Sequence, residues 1–155
     1  FPAWSPDGEA IAYMYGNTGE VSIVRRAAAG WSDRIVVGDT LGAPRWSPVR
    51  EEIAATHRTG IRIFDISNGE RRSIPLPDGI RAWALHWPED GRLLYFLGTS
   101  DSHRGIWSVP ASGGVPTPRM DFGDTTPGFT HIHVHNGFVY FTTREVSSDI
   151  WLLEF

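Results

Sequence analysis

Short apolar runs recur along the chain, each bounded by Gly, Pro, Asn or Asp. Ile11-Ala12-Tyr13-Met14-Tyr15, Ile53-Ala54-Ala55-Thr56, Leu93-Leu94-Tyr95-Phe96-Leu97 and Val139-Tyr140-Phe141-Thr142 are four of them. Their length and their β-branched and aromatic content predict strands. Alternation agrees: Ile61, Ile63 and Asp65 share one face of their run, and Arg62, Phe64 and Ile66 the other. Arg25 to Ala29 is too short for an independent helix and predicts a hairpin tip. Asn136-Gly137 between apolar runs predicts a two-residue type I′ hairpin.

These runs belong to a repeat. Pro2-Ala3-Trp4-Ser5-Pro6-Asp7-Gly8 precedes the first run, Pro44-Arg45-Trp46-Ser47-Pro48 the second, Leu85-His86-Trp87-Pro88-Glu89-Asp90-Gly91 the third, and His133-Val134-His135-Asn136-Gly137 the fourth. Trp4, Trp46 and Trp87 therefore recur at roughly forty residues, a period that suits a four-stranded unit. Val134 takes the place of Trp in the fourth copy. A third run follows in each unit, beginning near Val21, Ile61, Ile106 and Ile150, and the first three of these come just after Gly19, Gly60 and Gly105. A fourth run follows at Ile35, Ser73 and Pro116, and has no counterpart after Ile150.

The expected fold is all-β: a β-propeller of four-stranded antiparallel blades, three complete plus three strands of a fourth. One partial propeller would cover 1–155, with blades at about 1–41, 42–81, 82–126 and 127–155. A lone blade cannot bury both faces, so the tryptophans are expected on first strands, packed between blades. The long loops are expected at Gly98 to Arg104 and Met120 to Thr130.

The string Pro2-x-Trp4-Ser5-Pro6-Asp7-Gly8-x-x-Ile11-Ala12-Tyr13 resembles the PD40, or WD40-like, repeat of TolB-type β-propellers. In the second copy Val49-Arg50 replaces Asp-Gly, and in the third Glu89 stands before Asp90-Gly91. The resemblance implies a closed ring of more blades than are read here. The chain would then be part of a larger propeller, or two copies would close a ring together. It also implies a protein or peptide partner and a periplasmic or otherwise extracytoplasmic setting. Similar propellers accompany prolyl-oligopeptidase-type peptidases and bacterial protein kinases as gating or sensor domains. The oligogalacturonate lyases are similar in fold and bind Mn through channel histidines, although their motif does not match this sequence residue by residue.

Composition narrows the classes. The 155 residues are 41% hydrophobic and 21% charged, ordinary globular usage. No cysteine is present, which excludes disulfides and thiolate metal sites. Net charge is −4, every basic residue is Arg and no basic stripe exists, so nucleic acid is not an expected partner. No apolar run reaches membrane-spanning length, so no membrane insertion is expected. The chain opens at Phe1 inside a repeat unit, without a leader pattern, and is read as a segment or a processed product.

Candidate chemistry is sparse. His131, His133 and His135 alternate, so their imidazoles would share one strand face, about 6.5–7 Å apart. Arg45, His86 and His133 each precede the motif aromatic or its counterpart, which makes them equivalent positions on first strands near the axis. Two imidazoles could reach one metal, but a flat strand holds the third too far away. Gly-x-Ser-x-Gly is absent. Asp101-Ser102-His103 offers an acid and a base in one loop, but not a triad geometry. Asp7, Asp90 and Asp124 read as turn residues. Ser112-Gly113-Gly114 reads as a β-turn, since no helix follows to receive phosphate. Arg25-Arg26 and Arg71-Arg72 read as solvated strand ends. The expected function is a non-catalytic scaffold for protein or peptide binding, with no catalytic, cofactor-binding or metal residue and no cofactor assigned. Its candidate channel residues are Arg45, His86, His131, His133 and His135. The alternatives are an accessory propeller of a larger enzyme and a metal-dependent catalytic propeller.

Overall fold

A computed structural model describes residues 2–15, 19–123 and 128–144. The first sheet contains β1 (Ala3–Trp4), β2 (Ala10–Tyr15), β3 (Glu20–Ala27), β4 (Gly30–Trp31) and β5 (Ile35–Asp39). The second holds β6 (Arg45–Trp46), β7 (Glu52–His57), β8 (Gly60–Asp65) and β9 (Arg71–Pro75) in sequence order. The third holds β10 (Arg81–His86), β11 (Leu93–Thr99), β12 (Arg104–Pro110) and β13 (Thr117–Asp121), and β14 (Gly128–His135) pairs β15 (Phe138–Arg144). All these pairings are antiparallel. The fold is a β-propeller with three complete four-stranded blades and part of a fourth. The run at Ile150 lies outside the described residues, as does Asp124.

The turns form as their residues dictate. In the first copy the Gly8 N–H donates to Ser5 O (3.0 Å) and Gly8 takes φ +73°. Asp7 Oδ1 accepts from the Ser5 hydroxyl and from the Glu9 N–H, which holds its carboxyl below the usual range. Asn136 and Gly137 have φ +49° and +77°, the two positive angles of a type I′ turn. Arg25 to Ala29 does lead to a hairpin tip, but the tip carries its own short strand: β3 runs to Ala27 and β4 folds back on it. The loop expected at Gly98 to Arg104 is shorter than its sequence implied, because β11 extends to Thr99 and β12 starts at Arg104.

Gly19, Gly60 and Gly105 share one structural cause. Each begins or precedes the third strand of its blade, where the outermost strand passes close by. A Cβ on these residues would lie 2.3 Å from Thr40 O, 2.2 Å from Ile74 O and 1.8 Å from Met120 O respectively. Only glycine lets the outer strand approach so closely.

Three hydrophobic clusters mark the three seams between blades. Ala10, Ala12 and Ile23 meet Trp46 and Ile53 at the first. Ile61, Ile63 and Ile74 meet Trp87, Leu94 and Phe96 at the second. Leu97 and Ile106 meet Ile132 and Val134 at the third. Trp46 and Trp87 are buried as expected, and Val134 does take the Trp position in the last seam. Trp46 Nε1 donates across the first seam to Ala3 O (2.9 Å). Trp87 sits just beyond β10 and bonds within its own turn, to Gly91 O (3.0 Å). Trp4 does not pack between blades: it is 54% exposed and rests against Trp31, with ring centroids 5.8 Å apart. It occupies the seam position on a face that no other blade covers among the described residues.

Candidate functional site

Each blade starts on a strand at one edge of its sheet, and these first strands approach one another from blade to blade, β1 to β6 and β10 to β14. Adjacent residues on a strand face opposite ways. Trp46 turns back toward the first blade, so Arg45 turns toward the third. The same alternation turns His86 toward the fourth blade, and the contacts agree. His86 Nε2 lies 3.0 Å from Val134 O, and its ring meets His133 edge-on at 4.4 Å between centroids. Arg45, His86 and His133 are thus brought near one another, each from the first strand of one of three successive blades. Ala3 holds the equivalent slot in the first blade.

The electrostatics of this row are one-sided. Burial lowers the pKa of His86 to about 4, and the nearby His133 and Arg45 push the same way; the bond to Val134 O opposes them. The carbonyl can only accept, so His86 is a neutral ring with its proton on Nε2 and its Nδ1 lone pair open. Arg45 is half-buried, and desolvation lowers its pKa, although a guanidinium stays charged. Its Nη1 donates to Pro44 O (3.0 Å), and no carboxylate pairs with it among the described residues.

The histidine triplet alternates as expected: His131, His133 and His135 are exposed while Ile132 and Val134 are buried. Only His133 joins the axial row. His135 Nδ1 lies 3.2 Å from Glu89 Oε1 on the neighbouring turn. His131 stands opposite Thr142 in the β14–β15 register. Among the described residues no three His, Asp or Glu side chains converge as a metal would require.

The loop Asp101-Ser102-His103 does not use its own acid. His103 Nδ1 meets Asp121 Oδ2 at 3.2 Å, which helps hold the Asp121 carboxyl low after the larger effect of the Gly123 N–H. The His103 ring packs edge-on against Trp107, and its Nε2 is buried with no hydrogen-bond partner. No hydroxyl completes a triad. The structure also corrects the reading of Arg72 as a solvated strand end. Its Nη2 reaches both oxygens of the buried Glu52 (3.1 and 3.0 Å), and its Nη1 donates to Ala111 O (2.5 Å), linking the second blade to the third. Glu52, opening an apolar strand, was the only sequence signal for this pair.

No protein-family model matches the chain, and no curated protein is similar to it in sequence. Solved structures share its fold. A putative TolB from Agrobacterium tumefaciens is 17% identical, with TM-score 0.57, over 90% of this chain and 68% of its own. TolB from Acinetobacter baumannii is 18% identical, with TM-score 0.57, over 92% of this chain and 43% of its own. An oligogalacturonate lyase in complex with manganese is 13% identical, with TM-score 0.59, over 84% of this chain and 42% of its own. The chain spans less than half the length of the last two. At these identities the likeness is one of fold. It joins this chain to the β-propellers, a class whose members here include both TolB proteins and a lyase.

Proposed function

We propose that this chain is a non-catalytic propeller scaffold whose axial end binds an acidic segment of a protein partner. One observation carries the reading: the half-buried guanidinium of Arg45 lacks a carboxylate and shares its row with His86 and His133, contributed by the next two blades. A partly desolvated charge without a counterion is costly, and an arriving carboxylate offsets that cost while forming a bidentate pair. His86 adds a neutral acceptor for a backbone or side-chain N–H. Three different blades supply the row, so seam packing holds its geometry, which suits recognition more than chemistry. Among the described residues no three His, Asp or Glu side chains converge into a metal-ligand set, which favours the scaffold over the metal-dependent lyase reading.

A randomised twelve-residue peptide display library, selected on the purified chain, tests this. Enrichment for Asp and Glu that Arg45→Glu abolishes is expected. Enrichment indifferent to that substitution, or none, overturns the reading.

The same proposal places another blade against the exposed face of the first, supplied by the rest of a larger propeller or by a second copy. The TolB likeness supports it, and supports a proposed extracytoplasmic setting as well. Light scattering distinguishes the suppliers: a well-folded monomer at every concentration removes the second copy.

A further inference from the structure

The turn between β6 and β7 departs from its repeat. Asp7-Gly8 and Asp90-Gly91 close the equivalent turns of the first and third blades, whereas this one carries Val49-Arg50. Ser47 replaces the missing Asp: its hydroxyl oxygen accepts from the N–H groups of Val49 (3.4 Å) and Arg50 (3.2 Å). Val49 then wedges against the neighbouring blade's turn, where a Cβ on Gly91 would lie 2.3 Å from Val49 Cγ2. Val49 thus has a packing role, whereas nothing in the closure of this turn requires Arg50.

Beside this contact lies a cleft of about 340 Å³ between the second and third blades. Arg50 lines it from one blade, and Arg92 and Ser112 line it from the other. Arg72, Glu52 and Asp90 also border it. Both carboxylates are already engaged. Glu52 is held by Arg72 through two bonds. Asp90 Oδ1 accepts the Arg92 N–H (3.0 Å) within its own turn. Three arginines therefore line the cleft against two carboxylates, one of them held by Arg72, and neither Arg50 nor Arg92 has a side-chain partner among the described residues.

We propose that this cleft binds a dianionic phosphate group, held between Arg50 and Arg92. A guanidinium fork matches two phosphate oxygens, and a dianion can satisfy two such forks where a single carboxylate satisfies one. The Ser112 hydroxyl is a further donor. The Arg72–Glu52 pair forms a fixed wall that does not compete for the anion. This site is separate from the axial row and does not depend on it.

Isothermal titration at pH 7.5 and constant ionic strength tests it, with inorganic phosphate and with O-phosphoserine as probes. Saturable binding is expected, weakened at least tenfold in Arg50→Gln/Arg92→Gln. Arg58→Gln, which removes an equally exposed charge on the opposite β7–β8 turn, is expected to bind as the wild type does. Tighter O-phosphoserine binding assigns a phosphorylated partner, and tighter inorganic phosphate binding assigns the free ion. The replaced arginines are exposed turn residues, so circular dichroism should show both variants folded. No saturable binding of either probe, or binding unchanged in the double variant, overturns the proposal.

Discussion

Trp4 and Trp46 occupy the same position of the same motif in opposite environments, so the pair tests the seam model with its own control. Trp46 is 7% exposed, touches both blades and donates to Ala3 O across the seam. Trp46→Ala removes a buried aromatic and leaves a cavity, a loss of about 3–5 kcal/mol. It also orphans a carbonyl, worth roughly another 1 kcal/mol. Trp4 keeps about half its surface in water and, among the described residues, has Trp31 as its ring neighbour. Trp4→Ala should cost about 1 kcal/mol, since no cavity forms at an open face. Urea unfolding at low micromolar concentration measures both. At a slope of about 2 kcal/mol per M, the midpoint should fall by roughly 2–3 M for Trp46→Ala and by about 0.5 M for Trp4→Ala. Trp46→Phe should fall between them. Equal costs for the two alanine variants would show that the face of the first blade is covered in the isolated chain. A Trp46→Ala cost near 1 kcal/mol would show that the indole does not organise the seam. A Trp4→Ala cost that grows with protein concentration would point to a second copy seated there.

Gly105→Ala places a methyl group 1.8 Å from Met120 O, so β13 must retreat by roughly 1 Å. We expect a loss of about 2–3 kcal/mol in urea unfolding, with faster amide exchange along β13; unchanged stability would refute the close approach as the reason for glycine. His86 gives a pH signature. Its pKa falls from 6.5 in the unfolded chain to about 4 in the folded one, so the unfolded state binds the extra proton between those values. The stabilisation is present above pH 6.5 and is lost as pH drops through 4, and His86→Gln should flatten that part of the stability profile. Ring resonances of His86 titrating near 6.5 in the native protein would contradict it.

Much of this architecture was readable because the repeat prints it several times. The Gly at each third strand, the Asp-Gly turns and the seam aromatics each recur, and a recurring residue at a fixed offset implies a recurring contact. The contacts that escaped are those a repeat cannot express. Trp4 carries the seam residue without the seam, because the motif fixes the side chain and the neighbouring blade fixes its burial. His103 finds Asp121 rather than the adjacent Asp101, because the sheet register sets Gly105 opposite Asp121 and so carries that acid to the loop. Arg72 is tied down because Glu52 and the Ala111 carbonyl come from β7 and from the turn after β12. β4 was missed because two residues leave no periodicity to read.

The axial slot shows why function should be sought where the copies disagree. The residue after it is Trp in three blades and Val in the fourth, and seam packing constrains that choice. The slot itself points to the opposite side of the strand, toward the next blade, and holds Ala3, Arg45, His86 and His133 in turn. Four residues of such different size and charge cannot all be demanded by one packing role. Packing therefore leaves the slot's chemistry open, and under the proposed function the change from Ala3 to Arg45 to imidazole is what sets that slot's specificity. The Val49-Arg50 turn obeys the same logic on the rim. Ser47 keeps the turn closed without Asp-Gly, so the fold does not require Arg50, and its charge is available to a ligand.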